Sequence, residues 1–532
     1  LRAPPEMRPP RYANTPGLAA ALAAALAAVL VAAVAAACAP AARHAPADTA
    51  VVVIESPMVS ADPRQQTTNY DGKLAHLVAE GLTAVDTPTM EPRLDLAASI
   101  DRIDDLTIDV TLRDDVRFSD GSPVTAADVV GTYMTTLAPD WPSASHKTLS
   151  DRFTSVEAIS RLVARFHLKA PLATVMTDFD FGIVSFHDGP PSRDRVIGAG
   201  AYRLRALSST GASLEANPFY FRGPPPVSHI EFKFVPDAAA RLLMLVGGSA
   251  DLVPNSVRLD LVAAVAARPG VQVQTGHGAI LTYLMMNNDD KVLADRRVRQ
   301  AIALAVDRPA IIAAKLGGLA VPATGLLSPQ HWAYTGDVVR WDHDPARARR
   351  LLDEAGLRDP DGDGPAPRLR LVYKTSADAF RIAIARVIAA QLAEVGIAVE
   401  IRSFEFATFF ADIKRGAYQI ASMQTADITE PDFYFMYFNS SWIPAAPKFD
   451  GFNRWHYRSA VVDRLTLAGR EQVDRDKRRQ IYDEVQRQVA QDVPVVPLWH
   501  EDNVVLSSAA VHGYTMTPNA RLTGLRDVTV QR

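Results

Sequence analysis

IDVTLRDDVRFSDGSPVTAADVVGTY, residues 108–133, changes from a period of two to a helical pattern within a single run. Ile108, Val110 and Leu112 alternate with polar neighbours, the period of two that marks a strand with one face buried. Val116 and Phe118 resume the pattern after the charged Asp114-Asp115 turn. Ser119-Asp120-Gly121-Ser122-Pro123 then gathers residues that tolerate or enforce turn geometry. Thr125 follows as an N-cap, because its hydroxyl can accept from a backbone N–H that the first helical turn leaves unpaired. Ala126, Ala127, Val129 and Val130 fill the helix behind it. The unit is strand, turn, helix.

Within it, LRDDVRFSDGSPVTAADVV closely resembles the signature segment of the family 5 extracellular solute-binding proteins, the peptide- and nickel-binding components of ABC importers. Other phrases stand in that family's order. Ser60-Ala61-Asp62-Pro63 resembles its "LDP" turn, and Glu80-Gly81-Leu82 its "EGL", after a helix marked by Leu74, Leu77, Val78 and Leu82. Gly198-Ala199-Gly200-Ala201-Tyr202 resembles "GxGPY" with alanine in place of proline, and Asn217 to Gly223 and the strand Ile230 to Phe234 also fit. DRRVRQAIALAVDRPAII, residues 295–312, matches almost word for word, and Asp492 to Leu498 resembles "D-x-P-x-x-PL". The resemblance implies an α/β, two-lobed periplasmic-binding-protein fold (type II, cluster C-like) with an extra subdomain. Lobe I is expected from residues 50–84, 196–278 and 492–532, the family-specific subdomain from 85–195 and lobe II from 279–491.

Composition agrees with a large globular body: 532 residues, 48% hydrophobic and 22% charged. A net charge of -4 with mixed signs offers nucleic acid no basic footprint. The single cysteine excludes an internal disulfide or a multi-cysteine metal site. That residue, Cys38, ends a segment with Arg2, Arg8 and Arg11 followed by an uncharged run from Leu18 to Ala37, the shape of a secretory signal over residues 1–37. Read from Met7, the segment keeps its basic start. Ala35-Ala36-Ala37-Cys38 resembles a bacterial lipobox, which implies lipidation of Cys38 and a membrane anchor. Ala35-x-Ala37 also suits ordinary cleavage, and an apolar run of about 20 residues is long enough to stay in a bilayer. Each alternative places the body in the cell envelope, outside the cytoplasm. Residues 38–49, rich in alanine and proline, read as a tether.

The second half alternates helices and strands. Asp295 opens a helix whose arginine run reads as a solvated face. Asp344 caps a helix with Pro345 at its first position and Gly356 beyond its end. Ala379 to Val395 forms another, closed by Gly396 and followed by the strand Ile397 to Ile401. Phe406 to Gly416 and Tyr418 to Met423 repeat the theme, which implies a mixed or largely parallel sheet.

No enzyme constellation stands out: there is no G-x-S-x-G elbow and no H-E-x-x-H helix, and the twelve histidines are scattered. Asp359 to Gly364 reproduces half of a calcium loop, but the twelfth position is Arg370 where a bidentate glutamate is needed, so turn formation explains it better. No cofactor or metal is expected.

Ligand chemistry concentrates at Gln424-Thr425-Ala426-Asp427, just past the strand ending at Met423. A carboxylate at the C-terminal edge of a sheet can pair with a ligand ammonium in a partly dry cleft. In peptide-binding members of the family a phrase like "GWxxDxxxP" stands here and its aspartate holds the peptide's α-amino group. Asp427 and Pro431 match it, whereas Met423-Gln424 replace its Gly-Trp. Phe452 to Tyr457 resembles "F-x-N-W-x-Y", with Arg454 in place of asparagine beside Trp455. Arg454 either faces a ligand carboxylate or lies on the surface. The aromatics from Phe433 to Phe438 read as packed helix residues. The resemblance therefore implies a monomeric binding protein that closes on a short peptide and delivers it to an ABC permease and ATPase. A nickel chelate, opine, glutathione-like or sugar-derived solute, and a sensor without transport, stand behind that expectation, and a secreted hydrolase last.

Overall fold

Side chains on successive strand positions point to opposite faces, so one buried strand can serve two cores. Thr49–Ile54 does this: Ala50, Val52 and Ile54 enter one apolar cluster and Val51 and Val53 another. Leu281, Tyr283 and Met285 likewise face one cluster, and Leu284 and Met286 the one behind it. Strands covered on both faces read as continuous apolar runs, as these do. The structure, a computed structural model, describes residues 45–532 except 142, 144, 188–194 and 363, and residues 45–532 form one compact unit. The signal segment, Cys38, the start of the tether and Asp363 of the half calcium loop lie outside the described residues. No helix among the described residues is long and apolar enough to cross a membrane.

An 11-stranded mixed sheet organises the body. At one end, Leu369–Ser376 pairs in parallel with Ile397–Phe404 and Ile420–Thr425. At the other, Thr49–Ile54 runs parallel to His229–Phe234 and Leu252–Pro254, and an antiparallel meander through Gly211–Ala216 and Tyr202–Leu207 completes the edge. Two long strands, Val271–Met286 and Val495–Ser508, join the halves as an antiparallel ribbon from Val271 opposite Ser508 to Met285 opposite Val495. Its register shifts between Gly276 and Ile280 and again at Thr282 and Tyr283, where an extra residue bends the ribbon.

A separate antiparallel sheet, in the order Ala97–Asp104, Thr107–Leu112, Val163–Leu168, Phe153–Ala158, carries its own core with the helix Ala126–Leu137. The expected strand is present as Thr107–Leu112, but Val116 to Phe118 does not extend it. Those residues fold into a tight loop closed by an isolated bridge between Arg117 and Pro123. The expected helix is present, and Asp128 strengthens its start by accepting from the Thr125 backbone N–H (3.0 Å) and hydroxyl (2.7 Å). Asp295, Asp344, Asp378 and Asp474 stand at the N-cap itself, each with a carboxylate that accepts a first-turn N–H.

One local expectation changes in three dimensions. The arginine run is not wholly solvated. Arg299 is 5% exposed and donates to the carbonyls of Leu293, Ala294, Asp492 and Val493, tying its helix to the turn before the last long strand. Gly198 and Gly200 are fixed by crowding: a Cβ would lie 2.1 Å from the Val78 carbonyl oxygen at Gly198 and 2.5 Å from that of Leu77 at Gly200. This close backbone approach seats the end of the helix Asn69–Val78 on the meander.

Candidate functional site

Three chain segments that leave the C-terminal ends of sheet strands meet in one cleft: Glu55 after Thr49–Ile54, Asn255-Ser256 after Leu252–Pro254, and Asp427 after Ile420–Thr425. Crevices outside the carboxyl ends of strands are where open α/β sheets bind ligands. A cavity of about 290 Å³ opens beside Asp427 and is shared by Asp180, Phe181, Phe433, Tyr437 and Arg521. Its walls come from three distant stretches of chain. Asp427 has φ 59°, a left-handed conformation that costs a non-glycine residue about 1–2 kcal/mol and concentrates at functional positions.

Arg521 spans this cleft. Its guanidinium donates to Asp427 from Nε (3.3 Å) and Nη2 (3.1 Å), and Nη1 lies 2.6 Å from Asp180. Burial opposes the Arg521 charge, but Asp180 and Asp427 outweigh it and hold the group firmly protonated. Across from it, the helix Asn69–Val78 presents Tyr70, Lys73 and His76 at spacings of three. Burial and the nearby Arg521 push His76 down to about 3, so it adds no charge at neutral pH.

Around the cavity a buried ionic cluster joins the segment 85–195 to the opposite wall. Arg152 pairs with Asp178 and, at 3.1 Å, with Asp432, whose Oδ2 also lies 3.8 Å from Arg470. Glu430 takes Arg478 and the Thr177 hydroxyl, the latter at 2.9 Å. Asp432 is fully buried, and that burial pushes its carboxyl up against the pull of Arg470 and Arg152.

The residues singled out from sequence fall into two groups. Asp427 borders the cavity, and Thr425 lies behind it, bonded to the hydroxyls of Tyr283 (3.0 Å) and Tyr437 (3.3 Å). Gln424 is engaged by Arg381 (3.1 Å) and donates to Thr282 (3.4 Å), which fixes the strand end. Trp455 is 1% exposed and packs among Tyr283, Tyr437 and Phe438, where it supports the cavity wall from within the core. Arg454 stacks over Phe410 (4.9 Å) and Phe452 (5.2 Å) instead of lying free on the surface. The aromatics of Phe433–Phe438 are packed helix residues, as their spacing predicts. Asp180, Arg521 and Lys73 escaped sequence reasoning, because each is an isolated charge with no motif around it.

Comparison with known proteins places this geometry. The sequence model described as "Bacterial extracellular solute-binding proteins, family 5 Middle" matches residues 91–444. The oligopeptide-binding protein AppA of Bacillus subtilis is 27% identical over 454 residues, covering 81% of this chain and 82% of that protein. A probable di/tripeptide-binding protein 5 of Pseudomonas aeruginosa is 26% identical over 431 residues, covering 76% and 79%. The solved structure of Bacillus subtilis AppA in complex with a nonapeptide superposes with a TM-score of 0.79 at 25% identity, over 91% of this chain and 99% of that one. NikZ of Campylobacter jejuni, solved with Ni(L-His), shares the fold with a TM-score of 0.79 at 22% identity, over 91% and 100%. This chain belongs to the family 5 bacterial extracellular solute-binding proteins.

Proposed function

We propose that the protein captures short peptides outside the cytoplasm and hands them to the permease and ATPase of an ABC importer. The observation that carries this reading is Asp427, a left-handed carboxylate at a strand end, facing a cavity and paired, among the described residues, with Arg521 alone. A peptide's α-ammonium is the ligand group that such a carboxylate pairs with best in a partly dry site. On binding, the ammonium takes over Asp427 while Arg521 keeps Asp180. Relatives named for oligopeptide and di/tripeptide binding support the ligand class.

Ligand favours the closed form only through contacts to both walls of the cleft, so its differential affinity supplies the shift. In this reading lobe I comprises 50–84, 196–278 and 492–532, lobe II comprises 279–491, and the ribbon between them is the hinge. Arg454 and the Thr425 hydroxyl cluster serve the ligand from lobe II. Lipidation at Cys38 would hold the monomer beside its permease, and no bond of the ligand is broken.

The test is calorimetry of the purified protein with di- to pentapeptides, nickel-histidine and opines, repeated with Asp427→Ala. Peptides are expected to bind, and the variant to lose about 30-fold or more, the cost of removing one partner of a desolvated charge pair. Binding of another class alone, equal in both proteins, refutes the reading.

A further inference from the structure

A helix on a protein surface ordinarily turns charge outward and apolar side chains inward. The helix Ala238–Val246, AAARLLMLV, does the reverse. Its only ionisable side chain, Arg241, is 4% exposed and donates to the carbonyls of Val235, Pro236 and Ser256, whereas Leu243 is 71% exposed and Val246 48%. Ala239, Leu243, Val246 and Gly247 form one exposed stripe at helical spacing. The short helix Val262–Ala266 carries no charge; it buries Val262 and Val265 in the same cluster as Leu242 and Leu245 and exposes Ala263, Ala264 and Ala266. A single exposed leucine needs no explanation, but two neighbouring helices without one outward charge do.

The topology says what this face is near. His229–Phe234 and Leu252–Pro254 flank Thr49–Ile54 in parallel, and the helix between them crosses Thr49–Ile54 on the side of Val51 and Val53. Such a crossover runs back along the sheet, so its first turn lies at the cleft end, with Glu55, and Leu243 and Val246 lie toward the end where Thr49–Ile54 begins. The chain enters the body there. Ala45 packs on the same apolar cluster, and its carbonyl accepts from Arg532 (2.7 Å). Ala45 stands seven positions after Cys38, a reach of at most about 25 Å. A compact body of this length has a radius of gyration of about 23 Å, so its far side is beyond that reach.

Resting on the reading of Cys38 as a membrane anchor, we propose that the outward face of Ala238–Val246, centred on Leu243 and Val246, lies on the lipid surface to which Cys38 is fixed. The occupant is the boundary between headgroups and acyl chains, where an uncharged apolar stripe leaves water. Lobe I is then seated on the membrane, while lobe II, joined to it through the ribbon, is free to swing.

Acylation of Cys38, the chain's single cysteine, leaves an introduced cysteine as the one thiol to label. Full-length Leu243→Cys, processed in bacteria, is labelled with the fluorophore NBD and reconstituted in vesicles of phosphatidylethanolamine and phosphatidylglycerol, with and without doxyl-labelled lipid. The probe at position 243 is expected to lose about half of its emission or more to the doxyl lipid, the depth of an interfacial helix bringing it within range. Phe406→Cys is the control: Phe406 is 59% exposed and follows the edge strand Ile397–Phe404. That strand lies five strand spacings, about 24 Å, from Leu252–Pro254, so its probe should lose little emission. Equal quenching at the two positions, or none at 243, overturns the face assignment and leaves the anchor standing. Blue-shifted emission at 243 that doxyl lipid does not quench marks a protein partner and overturns it as well. Protein absent from the vesicle fraction overturns the anchor reading and this inference together. The peptide reading is measured separately by calorimetry and stands or falls without these results.

Discussion

Replacing Asp432 by asparagine removes one charge from the buried cluster without changing its size. Asp432 is fully buried, accepts from Arg152 at 3.1 Å and lies 3.8 Å from Arg470. Breaking a buried ion pair by neutralising one partner costs about 3–5 kcal/mol. The lower end applies because Asp178 still holds Arg152. For a body of this size the entropy of unfolding is about 1 kcal/mol/K, so a loss of about 3 kcal/mol lowers Tm by about 3 °C. The same bond joins the two walls of the cleft, so the loss falls equally on closure. About 3 kcal/mol is a factor of about 150 in the closed-to-open ratio, enough to move a mostly closed population to a mostly open one. Small-angle scattering should therefore show a larger radius of gyration for Asp432→Asn, and peptide affinity should fall with it. The triple variant Arg152→Met, Asp178→Leu, Asp432→Leu should recover part of the lost Tm, because it removes the trio's charges together and leaves only the more exposed Arg470 without its carboxylate. An Asp432→Asn protein with unchanged Tm and unchanged radius, or a triple variant less stable than the single one, refutes the reasoning.

Other perturbations have equally definite outcomes. His500 is 1% exposed and burial pushes it down to about 4, so the native state refuses a proton that the unfolded chain accepts below about pH 6.5. Stability is then whole above pH 6.5 and is lost as pH falls toward 4, and urea midpoints should show His500→Gln losing about 2–3 kcal/mol less than the parent between pH 7 and 4.5. Gly198→Ala forces a Cβ to 2.1 Å from a backbone oxygen and should destabilise by about 3 kcal/mol in urea unfolding, whereas Gly72→Ala, with its nearest neighbour at 3.4 Å inside a helix, should stabilise by up to about 1 kcal/mol. Asn453 is fully buried and serves the carbonyls of Asn439 (3.1 Å) and Tyr457 (2.8 Å) and the N–H of Tyr457 (3.0 Å). Asn453→Ala should cost about 3 kcal/mol in the same assay, and a loss under 1 kcal/mol contradicts that network.

Local chemistry was legible in the sequence wherever a few adjacent residues decide the outcome. The cap at Thr125, the Asp344-Pro345 start and the left-handed Gly396 stop all follow from neighbours within one turn. The place of Asp427, one carboxylate just past a strand end, was legible for the same reason. Trp455 stands in a phrase that resembles one in dipeptide binders, but aromatic residues serve cores and sites alike, and only its 1% exposure tells which. Arg152 and Asp432 are 280 positions apart, and Arg521 and Asp427 94 apart. No periodicity encodes such pairs, since their meeting is set by how the sheet brings distant loops to one cleft.

The ribbon described above also dictates an order of assembly. Val495–Ser508 is among the last strands of the chain, yet it lies in the interior of the 11-stranded sheet, between Val271–Met286 and Leu252–Pro254. The cluster built from Leu82 to Ala199 can form from contiguous chain, whereas the large sheet must wait for a strand made more than 200 residues after the two strands that flank it. Pairings of such long sequence separation form slowly. Until that keystone arrives, Val271–Met286 and Leu252–Pro254 present unpaired edges, the hazard that leads to aggregation. A chain cut before Val495 would be left in that state permanently, and its failure would be one of solubility before it was one of binding.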